Sequence, residues 1–198
     1  MRGVRTHLRR LVPAAAALVL ASGCGIQSIP MAENEVAAAW GEVQNQYQRR
    51  ADLIPNLVNV VKGYAAHERE TFEAVTEARA GATKTVVQAD QLTPETMQQF
   101  EQAQARLSGA LGRLLAVSER YPDLKADGAF RDLQVQLEGT ENRIAIARRR
   151  YIESVQRFNN QITVPPTSFT NALVYRKQAK PQFTATTPDA EKAPEVRF

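Results

Sequence analysis

Apolar residues recur at intervals of three and four through most of the chain from residue 32 to residue 162. That spacing lays one apolar stripe along a helix. Val36, Ala39, Trp40, Val43 and Tyr47 predict a helix over residues 32–51. Ile54, Leu57, Val58, Val61, Tyr64, Ala65, Phe72 and Val75 predict a second over residues 53–80, with Gly81 placed to end it. A third starts at Thr93-Pro94-Glu95, which supplies a cap, an N1 proline and a favourable first-turn charge. Its stripe is Met97, Phe100, Ala103, Leu107, Ala110, Leu111, Leu114 and Val117, and it stops before Pro122. The fourth is the most regular, from Phe130 through Leu137, Ile144, Tyr151 and Phe158 to Ile162, and Pro165-Pro166 ends it. No strand-like alternation and no repeat appear.

The first two stripes meet at Arg49–Glu68, a stretch dense in mixed polar and apolar residues. Asp52 has the chemistry of an N-cap, and Pro55 then falls in a first turn, where its missing N–H costs little. One unbroken helix over residues 32–80 would reach about 70 Å, against roughly 40–50 Å for the third and fourth helices. A reversal at residues 52–55 gives elements of matched length. The predicted fold is therefore all-α, an antiparallel four-helix bundle with long helices. A three-helix bundle kinked at Asp52–Pro55 is the alternative, because few loop residues are available for a reversal. The bundle is expected over residues 32–162, followed by an extended, proline-containing tail over residues 163–198 that lies along it through Phe169, Leu173, Val174, Tyr175 and Phe183.

Residues 1–23 read as a signal peptide: Arg2, Arg5, Arg9 and Arg10, an apolar run from Leu11 to Ala21, then small residues. Eleven residues span about 16 Å as a helix, short of the roughly 30 Å hydrocarbon core. Leu20-Ala21-Ser22-Gly23-Cys24 resembles a lipobox, and Cys24 is the one cysteine of the chain. Its expected modification is lipidation, with residues 24–31 as a tether. Two or more acyl chains hold stably where one does not. The expected location is exported and membrane-anchored in a bacterial cell envelope: the outer membrane, or the periplasmic face of the inner membrane, where two membranes exist.

Composition then narrows the chemistry. The formal charge of +4 is concentrated at the front: without the four leader arginines, 21 Lys and Arg face 21 Asp and Glu. A neutral mature chain argues against nucleic acid as a partner. One cysteine allows no internal disulfide, and His7 and His67 are too few for a histidine-rich metal site. GxSxG, P-loop, HExxH and GxGxxG patterns are absent. No catalytic residue, metal site or cofactor is expected. The candidate interaction residues are Arg49, Arg50, Asp52, Pro55, Asn56, Lys62, Tyr64, His67 and Glu68. As ion pairs and caps they would hold one end of the bundle, with Asn142 and Arg143 able to join them; as a surface they would receive a protein. Arg148-Arg149-Arg150 reads as a solvated helix face.

Residues 34–80, NEVAAAWGEVQNQYQRRADLIPNLVNVVKGYAAHERETFEAVTEARA, closely resemble the signature of LemA family proteins. Residues 121–162, from YPDLKADGAF to RFNNQI, and the ending ALVYRKQAKPQFTATTPDAEKAPEVRF are similar to two further blocks of that family, in the same order. The resemblance implies an exported, membrane-attached antiparallel four-helix bundle, and it implies no enzyme, since the family has no established general activity. Members commonly begin with a transmembrane helix, so the anchor type stays open between that and acylated Cys24. Ile152 stands where Asn is usual, and Pro165-Pro166 replaces the usual segment. The expected function is an envelope-associated scaffold or protein-binding module with an unidentified protein partner. The alternatives are an accessory subunit of a membrane protease, an enzyme using the Arg49–Glu68 cluster, or a passive spacer.

Overall fold

The first helix runs through the stop signal expected at Asp52–Pro55. In the computed structural model, which describes residues 3–183 and their side chains from residue 26, α1 runs unbroken from Gly3 to Tyr64. The reversal expected at Asp52–Pro55 is absent. Asp52 is not an N-cap: it is exposed in the helix interior and accepts from Gln48 Nε2 at 2.7 Å, an i,i+4 pair. Pro55 cannot donate to the carbonyl four residues back, and an interior proline normally costs about 3 kcal/mol. Here Arg79 Nε, on a neighbouring helix, donates to that freed Ala51 carbonyl at 2.8 Å. Pro30 repeats the arrangement, since the Ile26 carbonyl it frees accepts from the Tyr175 hydroxyl at 2.6 Å. Residues 26–31, expected as a tether, are accordingly helical, and Ile29 is fully buried. The expected signal peptide and Cys24 lie outside the residues whose side chains are described.

The chain turns at Ala65–Glu68, and α2 (Arg69–Lys84) follows. Gly81 does not end α2, which continues one turn to Lys84. Residues 85–93 cross without α-helix, and α3 (Pro94–Val117) begins where the sequence predicts. Thr93 Oγ1 accepts from the Thr96 N–H at 3.2 Å and Thr96 Oγ1 accepts from the Thr93 N–H at 2.8 Å, a capping box closed by threonine instead of glutamate. After the short α4 (Pro122–Ala126), Asp127 Oδ1 caps α5 (Gly128–Thr163) by accepting from the Phe130 N–H at 2.8 Å. α6 (Thr167–Thr170) leads into a single π-turn, Asn171–Tyr175.

The architecture is all-α, with no strand among the described residues. α1 lies along α5, and α2 pairs with α3. Their apolar stripes form two separate cores. One gathers Trp40, Tyr47, Val87, Met97, Phe100, Tyr151, Phe158 and Phe183 along the middle of α1. The other gathers Ile54, Leu57, Val61, Phe72, Val75, Leu107, Leu114 and Phe130 toward Tyr64. Of the tail, Tyr175 and Phe183 dock on the bundle, while Phe169, Leu173 and Val174 stay exposed.

Candidate functional site

The boundary between the two cores is a polar layer built around Arg50. Tyr47 and Ile54, one turn to either side of it on α1, belong to different cores. Arg50 is only 1% exposed. Its Nη1 donates to Ser108 Oγ and to Glu141 Oε1, each at 2.8 Å. Its Nη2 donates to Gln104 Oε1 at 2.8 Å and to the Gln104 carbonyl at 3.3 Å. The guanidinium also stands over the Tyr47 ring, 5.0 Å from its centroid. Gln104 Nε2 reaches the Ala82 carbonyl at 3.5 Å, so one arginine draws α1, α2, α3 and α5 into a single level. Taking a charge out of water costs several kcal/mol unless its donors are met. Four hydrogen bonds and the ring face meet those of the two Nη groups. Arg50 Nε is buried without a hydrogen-bond partner.

A cleft of about 260 Å³ opens beside this layer, lined by Tyr47, Glu101, Gln104, Ser108, Glu141 and Arg148. Arg148 approaches Glu101 at 3.4 Å and covers the Phe183 ring at 4.3 Å. Burial pushes the Tyr47 hydroxyl above its ordinary pKa, with the Arg148 and Arg50 charges pulling the other way. Burial likewise raises Tyr151, whose hydroxyl donates to the Pro181 carbonyl at 2.9 Å. The cleft thus mixes two cations with two carboxylates. Ser108 donates its proton to the Gln104 carbonyl at 3.1 Å, and no imidazole stands against it, so it is not set up as an activated nucleophile.

The nine residues that the sequence nominated are not brought together. Fourteen positions separate Arg50 from Tyr64, about 21 Å along one helix. Tyr64 donates to Asp127 Oδ2 at 2.8 Å. Glu68 accepts from Tyr121 Oη at 3.3 Å and pairs with Arg120 at 2.9 Å. Lys62 stands over the Phe72 ring at 5.4 Å. Arg49, Asn56 and His67 are exposed, the last in the turn before α2, and Asn142 and Arg143 are exposed as well. Gln104, Ser108, Glu141 and Arg79 escaped the sequence reading. Gln104 had a visible signal, a polar residue between Phe100 and Leu107 on an apolar stripe. Among the described residues no group of three or more His, Cys, Asp and Glu is placed to hold a metal. Nor is any helix among them long and apolar enough to cross a membrane.

The chain is 26% identical over 154 residues to magnetosome protein MamQ 2 of Paramagnetospirillum magneticum, covering 67% of this chain and 55% of that protein. It is 24% identical over 130 residues to protein LemA of Metamycoplasma hominis, covering 66% and 56%. Against magnetosome protein MamQ of Magnetospirillum gryphiswaldense it is 27% identical over 140 residues, covering 60% and 50%. The chain therefore spans about half the length of the curated relatives it matches. The sequence model of the LemA family matches residues 39–198, which takes in the Arg50 layer, the core toward Tyr64 and most of the other, and the chain belongs to that family.

Proposed function

We propose that this protein is a membrane-anchored helical scaffold of the bacterial cell envelope, holding a rigid bundle at the bilayer so that an exposed helix face recruits a protein. One observation carries the reading. The polar side chains best suited to chemistry are consumed in joining helices, Arg50 above all, with four hydrogen bonds inside the bundle. The apolar leader, the lone Cys24 and the magnetosome relatives support a membrane setting. Lipid on Cys24 is the anchor in this reading, and two acyl chains would suffice for stable attachment.

The test is intact mass of the native N-terminus together with vesicle flotation and pull-down, wild type against Cys24→Ser. Acylated mass, flotation lost in Cys24→Ser and a partner recovered only with the anchored chain are the expected results. A free, unmodified chain, or no partner above the variant, overturns the reading. Alanine at Arg50, Asp52 or His67 tests the rival enzyme or protease-subunit reading. Loss of a measurable reaction with the fold intact would favour that rival, whereas a lower melting temperature at Arg50 alone favours the scaffold.

A further inference from the structure

The tail leaves a set of large apolar side chains in water at one end of the molecule. Phe169, Leu173 and Val174 are 67%, 81% and 61% exposed, and Val164 and Ile26 are exposed with them. Scattered surface leucines need no account, but a cluster of this kind marks an interaction face. Its position is held firmly. The Tyr175 hydroxyl bonds the Ile26 carbonyl at 2.6 Å, and α6 lies against α1 and α5. Asn171 ties the turn that follows: its Nδ2 donates to the Lys177 carbonyl at 3.1 Å and its Oδ1 accepts from the Lys177 N–H at 2.8 Å. Arg176 takes a left-handed conformation, φ 52°, to close that turn.

Two further facts say what covers the face. The first is continuity. α1 is one helix from Gly3, and its apolar run Leu11–Ala21 ends five residues before Ile26, about 8 Å along the axis. Cys24 is nearer still. Either anchor brings the same end of the bundle to a bilayer. The second is charge. Residues 161–183 contain Arg176, Lys177 and Lys180 and no Asp or Glu. The acidic residues of α1 nearby are neutralised, Glu33 by Lys177 at 2.8 Å and Lys180 at 3.6 Å, Glu35 by Arg157 at 3.2 Å. Lys177 and Lys180 are engaged with Glu33, which leaves exposed Arg176 beside the apolar side chains, a combination that suits an anionic lipid surface, where an amphipathic element settles about 5–10 Å into the headgroup boundary.

We propose that the Phe169–Val174 turn, with Ile26, is a second membrane contact that seats the anchored bundle on the lipid surface. The inference rests on the anchored reading above and deepens it. A tether alone would leave the bundle free to swing, whereas two contacts on one end fix its tilt and aim the opposite end, with Tyr64 and His67, away from the bilayer.

The experiment uses the full chain in vesicles of phosphatidylglycerol and phosphatidylethanolamine carrying brominated acyl chains. Leu173→Trp adds a reporter on the face, and Val135→Trp adds one on exposed α5 surface toward the far core. The native Trp40 is 1% exposed and contributes a shielded background. Expected are flotation of both variants, loss of most of the added emission for Leu173→Trp, and no loss for Val135→Trp. Phe169→Trp repeats the measurement if Leu173→Trp lowers the melting temperature. Flotation without quenching at 173 and 169 overturns the second contact and leaves the anchor standing. Absence of flotation overturns both. An unquenched signal that shifts blue as protein per lipid rises assigns the face to a second copy of the chain, and the proposal falls.

Discussion

The two cores on either side of Arg50 are closed by different means. Toward Tyr64, α2 and α3 both flank α1 and α5, and the core is aliphatic, with Phe72 and Phe130 set singly among leucines, valines and alanines. On the other side α2 has ended at Lys84, and the segments 85–93 and 176–183 take its place. Segments without helix carry carbonyls that need donors if they are buried. The rings supply them. Trp40 Nε1 donates to the Val87 carbonyl at 2.7 Å beside Gln44 Nε2 at 2.8 Å, and Tyr151 donates to Pro181. Trp40 meets Phe100 at 5.1 Å, Tyr151 at 5.3 Å and Phe183 at 6.0 Å between ring centroids. Where a helix is missing, a large ring with a polar edge fills volume and satisfies backbone at once.

Substitutions at Trp40 break this contrast most sharply. Trp40→Ala removes ring and donor and is expected to cost about 3–5 kcal/mol in urea unfolding. Trp40→Phe keeps a ring and loses the bond to Val87 and part of the indole volume, about 1–2 kcal/mol, with faster amide exchange confined to residues 85–93. Equal losses in the two variants would show that the indole N–H, not the ring, closes this core.

Arg50→Ala comes next, at about 2 kcal/mol, because its carboxylate partner Glu141 is half exposed and is left in water rather than buried. The layer joins the cores, so its loss should separate the unfolding seen by near-ultraviolet circular dichroism, dominated by the rings, from that seen in the far ultraviolet. Coincident curves would mean that the cores are coupled without it.

A double-mutant cycle sharpens the reading of the long helix. Arg79→Ala should cost about 1.5 kcal/mol in the parent chain and almost nothing in Pro55→Ala, whose restored N–H serves the Ala51 carbonyl. Tyr175→Phe against Pro30→Ala should behave in the same way with about half the size. Additive effects in either cycle would separate the donor from the proline.

The smallest effect is at the far end. The Phe130 N–H, followed by the Tyr64 hydroxyl, holds Asp127 below its ordinary value of 3.8. A depressed carboxyl contributes stability that is complete above its unfolded pKa and is lost as pH falls through the lower folded value. Asp127→Ala should flatten that acid limb in a pH series of melting temperatures and leave the Trp40 core unchanged. The Tyr64 hydroxyl, raised by the same carboxylate, should titrate above an ordinary tyrosine in alkaline absorbance and fall back in the variant.

Local signals were read where their partners are local. Thr93-Pro94 starts α3, and the three-four stripe from Phe130 to Ile162 lies within α5, because both depend on residues a turn apart. Pro55 was read as a break for the same reason, since within one turn nothing can serve the Ala51 carbonyl. Arg79 does so from 28 residues away. Arg50 could be seen as a polar residue beside an apolar stripe, but Glu141, 91 positions on, could not be matched to it. Phe169, Leu173, Val174, Tyr175 and Phe183 follow no period in the tail, and nothing along the chain separated docked Phe183 from exposed Leu173.

Sequence alone determined the helical class, most helix positions and the family, since each is written in spacing and residue order. Tertiary structure decided the unbroken course of α1, the division of the core by one arginine, and which tail residues face water. Those outcomes turn on hydrogen-bond partners that become neighbours only after the helices have packed, and no pattern of three and four encodes a partner that far away.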